Sequence, residues 1–393
     1  MNELFKVKLI KANRAELEKI GFDSSYARQG ADKHRFLSLK IYSLSPAQAN
    51  IIKQAALAGG TDAAVHREVI TGKIEKSDCI LSGSLSELKK IAEKLSCQPF
   101  KLGILGKKIL ELIEIQPEPI KIRNTVFDWK RPYIMGILNV TPDSFSDGGE
   151  FFDTKKAVLH AADLIENGAD IIDIGGESTR PYAQKVDVNE EIRRVVPVIE
   201  QIRALFPEMP VSIDTRNSKT VKAAFDAGAD IINDVSAMEW DSKMKKTAQE
   251  LDVPVVLNHS KGTPENMQEN PQYFDISEEI YDYFARKINE LTEYGFLKKN
   301  LIIDPGIGFG KTKEQNFELL KSVATLKSLG CPLLVGHSRK TFLKEQIGSE
   351  NIADLDRATN IISSYLVNEG VNFLRVHNAG DLKMLLDLNR ALF

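Results

Sequence analysis

Eight short apolar runs in the second part of this 393-residue chain each finish in side chains able to bind or activate a substrate. In order, the endings are Asn139; Asp173, leading into GGESTR; Asp214; Asn233 with Asp234; Asn258 with His259; Asp304; His337 through Lys340; and Arg375 with His377. A single polar residue in such a place is ordinarily a turn or a cap. Eight in succession need another reason, because a core strand gains no packing from finishing in charge. The endings are of two kinds. Asp214, Asn233 and Asp304 suit an uncharged ring with a donor and acceptor edge: a carboxylate accepts two N–H groups side by side, and an Asn amide both gives and takes. An amino-pyrimidinone presents such an edge. Thr179, Arg180, Arg339, Lys340, Arg375 and His377, with Asn139 and DSFSDGG nearby, are directed at an anion: a phosphate or diphosphate, with Mg2+ as its companion. The combination points to a fused heterocycle carrying a phosphate leaving group, and the chain reads as an enzyme.

Two nucleotide motifs are excluded. DPGIGFGKT resembles a phosphate loop, but a Walker A motif needs Gly where Pro305 stands, and a dinucleotide fingerprint needs Gly where Lys311 stands. The elements that position the endings follow from the apolar runs themselves: YIMGILNV, DIIDIGG, VSIDT, DIINDV, VPVVLNH, LIIDPG, PLLVGHS and NFLRVH. Helical patterns separate them, and continuous apolar strands alternating with helices form a parallel sheet buried on both faces. The phrase AGADIINDVS, Ala227 to Ser236, recurs as NGADIIDIGG and, more loosely, as EGVNFLRVHN, a repeated helix–Gly–strand unit. Eight such units in about 260 residues predict a (β/α)8 TIM barrel, with the active site at the carboxyl ends of the strands. An open doubly wound sheet has fewer strands and a visible phosphate fingerprint.

The chain is too long for one core. Residues 1–118 predict a small α+β domain of unknown role, and residues 119–393 the barrel; Pro117, Pro119 and Pro132 flank the junction. In the first domain FKVKLI, RFLSLKIYSL and SDCILSGS read as strands. A helix is marked by Ser45 as N-cap, Pro46 at the first position and Gly59-Gly60 past the end, and another runs from about Ser86 to Leu95. AGGTDAAVHREVITG, Ala58 to Gly72, reads as a helix-to-strand connection rather than a ligand loop built on Asp62, His66 and Arg67. A net charge of −3 without a basic run gives no footprint for nucleic acid. No apolar stretch has the roughly 18 residues of a membrane span. The amino terminus lacks a signal-peptide core. Three cysteines and six scattered His form neither a disulfide framework nor a zinc site, so a cytoplasmic location is expected.

MGILNVTPDSFSDGG (Met135 to Gly149), DIGGESTRP (Asp173 to Pro181), SIDT, INDV, LIIDPGIGFGK, SRK and RVH resemble, in order, the motifs of dihydropteroate synthase, and the likeness covers the chain from about Tyr133 onward. That family, a sulfonamide target in folate biosynthesis, condenses a dihydropterin methyl diphosphate with 4-aminobenzoate. The resemblance implies that Asp214, Asn233, Asp304 and Lys340 hold the pterin, with Asn258 on its wall. It implies that Asn139 binds Mg2+, and that Asn139, Thr179, Arg375 and His377 receive the diphosphate. Phe145, Thr179, Pro181, Phe309, Ser338 and Arg339 would form the 4-aminobenzoate pocket. Phe145, Ser146 and Asp147 would lie on one mobile loop, and Thr179 with Arg180 on a second. The implied mechanism is dissociative: diphosphate leaves first, Asp147 or the retained diphosphate favours the cation so formed, and a homodimer is the expected assembly. Three departures stand out. Asn258 replaces a Met that commonly packs on the pterin, Tyr182 a small residue, and His337 a small or apolar one. A pterin-binding methyltransferase module shares the barrel but needs no diphosphate grip. A non-catalytic pterin-binding protein would show erosion at Asn139, Thr179 or Lys340, and none is eroded.

Overall fold

The structure, a computed structural model, describes residues 8–10, 12–23, 25–141, 150–177, 186–262 and 271–392. The chain divides into two compact units between Ile115 and Gln116. The first contains α1 (Arg14–Lys19), α2 (Ala27–Asp32), β1 (Phe36–Leu44), α3 (Pro46–Ala58), β2 (Asp62–Val65), β3 (Ser77–Ser84), α4 (Leu85–Leu95) and α5 (Leu102–Glu114). Its three strands form an antiparallel sheet in the order β1-β3-β2. Leu81 of β3 is buried together with Ile52 of α3 and Leu88, Ile91 and Leu95 of α4 in one apolar core.

The starts of α3 and α4 are both capping boxes. Ser45 accepts from the Gln48 amide while Gln48 accepts from the Ser45 amide, with Pro46 next and Gly59 closing α3. Ser84 and Glu87 do the same for α4. Replacing Ser84 with Ala should cost the first unit about 1 kcal/mol. Urea denaturation of the variant, followed by far-UV circular dichroism, checks this. Two expectations are corrected. The connection after α3 contains β2, a four-residue edge strand with only Ala63 buried, too short to show an alternation. Of FKVKLI, Lys8–Ile10 lie in no strand, and Leu9 and Ile10 are exposed. Asp62 pairs with Lys53, and His66 caps a single 3-10 turn by accepting from the Glu68 amide, so both serve local structure.

The second unit opens with a hairpin, β4 (Ile120–Ile122) and β5 (Thr125–Phe127). Then follow β6 (Tyr133–Asn139), α6 (Glu150–Glu166), β7 (Ile171–Gly175), α7 (Val188–Leu205), β8 (Val211–Asp214), α8 (Ser218–Asp226), β9 (Ile231–Asp234) and α9 (Met244–Leu251). The chain continues through β10 (Val255–Asn258), α10 (Ile276–Tyr294), β11 (Leu301–Asp304), α11 (Lys313–Ser322), β12 (Leu334–Val335), α12 (Thr341–Ile347), α13 (Ile352–Asn368), β13 (Phe373–Val376) and α14 (Ala379–Leu392). β6 to β13 are the eight strands read from the apolar runs, all parallel, in one sheet. A bridge between Ile303 and Leu333 joins β11 to the chain entering β12 and closes the (β/α)8 barrel.

Two apolar layers fix the strands. Between strands and helices, Ile172, Ile213, Ile232, Leu257 and Ile303 pack on Val195, Val221, Ala248 and Phe284. Inside the barrel, at the amino ends of the strands, Ile171, Ile231, Ile302 and Phe373 meet Phe127 and Ile120 of the hairpin. Burial at about 1.5–3 kcal/mol per large aliphatic side chain makes a one-residue slip prohibitive. The resulting register aligns the polar endings across strands: Asn139 with Gly175, Gly175 with Asp214, Asp214 with Asn233, and Asn258 with Asp304.

Candidate active site

At the carboxyl end of the barrel four polar side chains converge. Asp173, fully buried, accepts from Asn233 Nδ2 at 2.9 Å and from Arg375 Nε at 2.6 Å. Arg375 Nη2 donates to Asp214 Oδ2 at 2.6 Å. Burial pushes Asp214 up to about 7, with Asp173 adding to the rise and Arg375 opposing it. Burial alone would lower Arg375, but Asp173 and Asp214 hold it above its usual value. The guanidinium expected to grip a diphosphate is thus engaged with two carboxylates. Asp173, absent from the predicted binding set, organises the group.

Asp304 enters from the other side. Its Oδ1 accepts from the Gly306 amide at 2.8 Å, and burial raises its carboxyl. A side-chain carbon at Gly336 would stand 3.7 Å from both Asp304 Oδ2 and Arg375 Cδ, and one at Gly175 would stand 3.7 Å from Asn139 Oδ1 and 3.8 Å from Asp214 Oδ2. Asn139, Asp214, Asp304 and Arg375 therefore border one space. Asp173 Oδ1, Asp214 Oδ1 and Asn258 Oδ1 are buried acceptors with no hydrogen-bond partner among the described residues. Unmet buried acceptors are costly, and a ring with N–H groups offsets that cost. Asn258 thus brings an acceptor to a place where the family commonly has an apolar wall.

Lys340 lies over the Phe309 ring, Nζ 3.9 Å from its centroid, and burial, followed by Arg375, lowers its ammonium to about 8. Val235 and Trp240 pack on Phe309. Ser338 Oγ lies 3.0 Å from His377 Nδ1, and burial, with Arg339, Arg375 and Lys340 adding, lowers His377 to about 3. That imidazole is neutral, so it offers a hydrogen bond rather than a charge. Arg339 adopts a left-handed φ of 55° and makes a two-bond pair with Asp356 of α13, at 2.7 and 2.8 Å. His337 is fully buried and sits with Nε2 3.0 Å from both Thr359 O and Ser363 Oγ. It ties β12 to α13 and does not enter the site. Asp234 accepts from the Ser236 and Met238 amides and shapes the turn after β9.

Phe145, Ser146, Asp147, Thr179, Arg180, Pro181 and Tyr182 lie outside the described residues. The residues flanking the second of these segments are tied together: Glu177 Oε1 accepts from the Val186 amide at 2.9 Å, and both its oxygens accept from Arg216, whose guanidinium lies 5.1 Å from the Trp240 ring centroid. Sequence reasoning gave Glu177, Arg216 and Lys311 no functional role. Glu177 had a signal, being the one acid in GGESTR, but its partner stands 39 residues away. Among the described residues no group of three or more His, Cys, Asp or Glu side chains is arranged to hold a metal ion. The site's oxygen donors are instead the Asn139 amide and the carboxylates beside it.

The model of the family described as "pterin binding enzyme" matches residues 135–377. A Synechocystis dihydropteroate synthase is 39% identical over 284 residues, covering 72% of this chain and 98% of that one. The chain belongs to the dihydropteroate synthase family. The solved Xanthomonas albilineans dihydropteroate synthase with 4-aminobenzoic acid superposes with a TM-score of 0.66 at 39% identity, over 70% of this chain and 98% of its own. A Haloferax volcanii protein described as a probable bifunctional folylpolyglutamate synthase/dihydropteroate synthase is 38% identical over 344 residues, 84% of this synthase and 40% of the relative. A match of that extent is not confined to residues 116–393 and reaches into the first unit.

Proposed function

We propose that this synthase joins its two substrates over the Asp173–Arg375–Asp214 group, with the pterin edge on Asp214, Asn233 and Asp304. The reaction breaks the bond between the pterin methylene and the diphosphate oxygen, and the electron pair leaves with diphosphate. The 4-aminobenzoate nitrogen then bonds to the methylene and loses a proton, giving 7,8-dihydropteroate. Departure comes first in this reading, because an aniline is a weak nucleophile and a methylene conjugated to an electron-rich dihydropterin carries positive charge well. The observation that carries the reading is the set of unpaired acceptors on Asp173, Asp214 and Asn258, adjoining the cations Arg375 and Lys340.

Roles then follow from placement. Asp214 and Asp304, both raised by burial, accept the ring N–H groups, while the Asn233 amide gives and takes. Arg375 and Lys340 stabilise negative charge as it grows on the departing diphosphate, in a site where few waters compete. The neutral His377 donates to a diphosphate oxygen, and Thr179 adds a hydroxyl. Phe309, Phe145 and Pro181 take the aminobenzoate ring, and Ser338, Arg339 and Thr179 its carboxylate end; Arg180 and Asp147 close over the pair. Asn139 supplies an amide oxygen beside Asp214, which fits Mg2+, an ion that keeps most of its waters and takes few protein ligands together with substrate phosphates. Bound there, Mg2+ would neutralise charge on the leaving diphosphate.

We further propose a homodimer, supported by Ile361 on α13 and Met384 and Leu388 on α14, large apolar side chains left 60% exposed or more. A cytoplasmic location fits substrates of this kind; no helix among the described residues is long and apolar enough to cross a membrane. The test is diphosphate release from purified protein with dihydropterin methyl diphosphate and Mg2+, with and without 4-aminobenzoate. Sustained release, over many turnovers, is expected only with the aminobenzoate. Pterin binding without release would move a methyltransferase module or a non-catalytic binding protein ahead.

A further inference from the structure

Lys311 stood out in the sequence only as the residue that spoils a nucleotide fingerprint. In the fold it is 2% exposed, a state rare for lysine unless the ammonium is fully met by acceptors. Its Nζ lies 2.8 Å from Gly306 O, 2.9 Å from Phe309 O, 3.3 Å from His259 O and 3.2 Å from His259 Nδ1. Three carbonyls converging on one buried point repel one another unless a donor or cation stands between them.

The loop is folded too tightly to find another solution. Gly306 has a φ of +69°, and a Cβ there would stand 1.9 Å from His259 O. The end of β10 and the loop after β11 are therefore pressed together, with the Lys311 ammonium where their carbonyls meet. From the other side, Gly308 donates to Asn316 Oδ1 at 2.7 Å, which fixes the same loop to α11. We propose that Lys311 is a positioning residue of this synthase, its ammonium drawing the His259, Gly306 and Phe309 carbonyls together so that Asp304 and the Phe309 ring face the substrates. The inference rests on the roles given above to Asp304 and Phe309. Two links connect it to them: Gly306, held through its carbonyl, donates its amide to Asp304 Oδ1, and Phe309, held the same way, lies beneath Lys340. Burial lowers the Lys311 ammonium to about 7 while Asp304 pulls it upward, so the amine and its N–H groups are kept here against a desolvation cost.

A purely structural role makes different predictions. Filling a buried slot is done as well by Met, which matches the stem and donates nothing. Holding carbonyls needs N–H groups, which Gln retains in part. Lys311→Met, Lys311→Gln and Asp304→Asn are compared with the unaltered chain for melting temperature and for kcat/KM toward dihydropterin methyl diphosphate and 4-aminobenzoate, well below the melting temperature. Lys311→Met is expected to lose about 10- to 100-fold in kcat/KM for both substrates, with Gln between Met and Lys. Wild-type kcat/KM in folded Lys311→Met, or in Lys311→Gln where the Met variant does not fold, overturns the proposal. Loss of the fold in both also overturns it, since Lys311 is then a folding residue. Asp304→Asn separates the two levels: if it binds pterin normally the site reading fails, and if it alone is impaired only the role of Lys311 fails.

Discussion

Arg375→Met is expected to stop turnover and to destabilise the barrel by about 3–5 kcal/mol, the usual penalty when one partner of a buried ion pair is removed. The guanidinium is the common partner of two carboxylates, Asp173 and Asp214, and both are buried. Without it they face each other unneutralised. The pH dependence gives the prediction its sign. Asp214 sits at about 7 in the fold even with Arg375 present, above the ordinary carboxylate value near 4. A carboxyl raised on folding contributes stability that is present below its unfolded value and is lost as pH rises through its folded one. The variant should therefore approach the parent in stability at pH 5 and fall furthest behind at pH 8. Urea midpoints at the two pH values measure this. Adding Asp214→Asn should restore part of the stability at pH 8 and none of the turnover. An unchanged midpoint at pH 8 would show that the Arg375 pairing contributes nothing.

Lys340→Met is expected to lower kcat/KM by about 10^2 to 10^3 while leaving the melting temperature at pH 7 unchanged or higher. The magnitude is that of removing one group aimed at developing charge. Met keeps the stem, which packs near Gly308 and Phe309, and removes only a cation that burial already disfavours. The same lowering, to about 8, predicts how the parent enzyme responds to pH. Its ammonium is lost as pH rises past about 8, so kcat/KM should fall on that side with a midpoint there. Lys340→Arg, charged throughout, should shift the fall to higher pH, and the Met variant should show none of it. A parent profile flat to pH 10 would mean that the charge on Lys340 is not used. Arg375 and Lys340 are thus expected to differ: removing Arg375 should cost both fold and function, removing Lys340 only function.

Much of this was legible before the fold. The eight strands could be placed because a strand packed on both faces must be apolar throughout, and a helix-to-strand turn favours Gly. Their polar endings could be pooled into one site because a barrel brings all carboxyl ends to one rim. What could not be read was which side chain meets which. Arg375 and Asp173 are 202 residues apart, and nothing local to either names the other. His337 and His377 both end apolar runs, yet one is turned out toward α13 and the other toward Ser338, a difference of strand parity and a left-handed turn at Arg339. Short elements also escaped. β2 and the β4–β5 hairpin have three or four residues per strand, below the length at which alternation becomes a pattern.

The aromatic cluster beneath the barrel has an optical consequence. The chain has two tryptophans, Trp129 and Trp240. Trp129 lies edge-on to Tyr133 and Phe373 at the amino ends of the strands, its indole N–H donating to Glu118 O at 2.9 Å. Trp240 packs on Phe309 and under Arg216 at the carboxyl ends. One emitter therefore senses closure of the barrel floor and the other senses events at its mouth. Trp129→Phe leaves a single tryptophan beside Phe309, and Trp240→Phe leaves one that watches the floor assemble during refolding, so with excitation selective for tryptophan, ligand binding and folding can be recorded separately without attaching a dye.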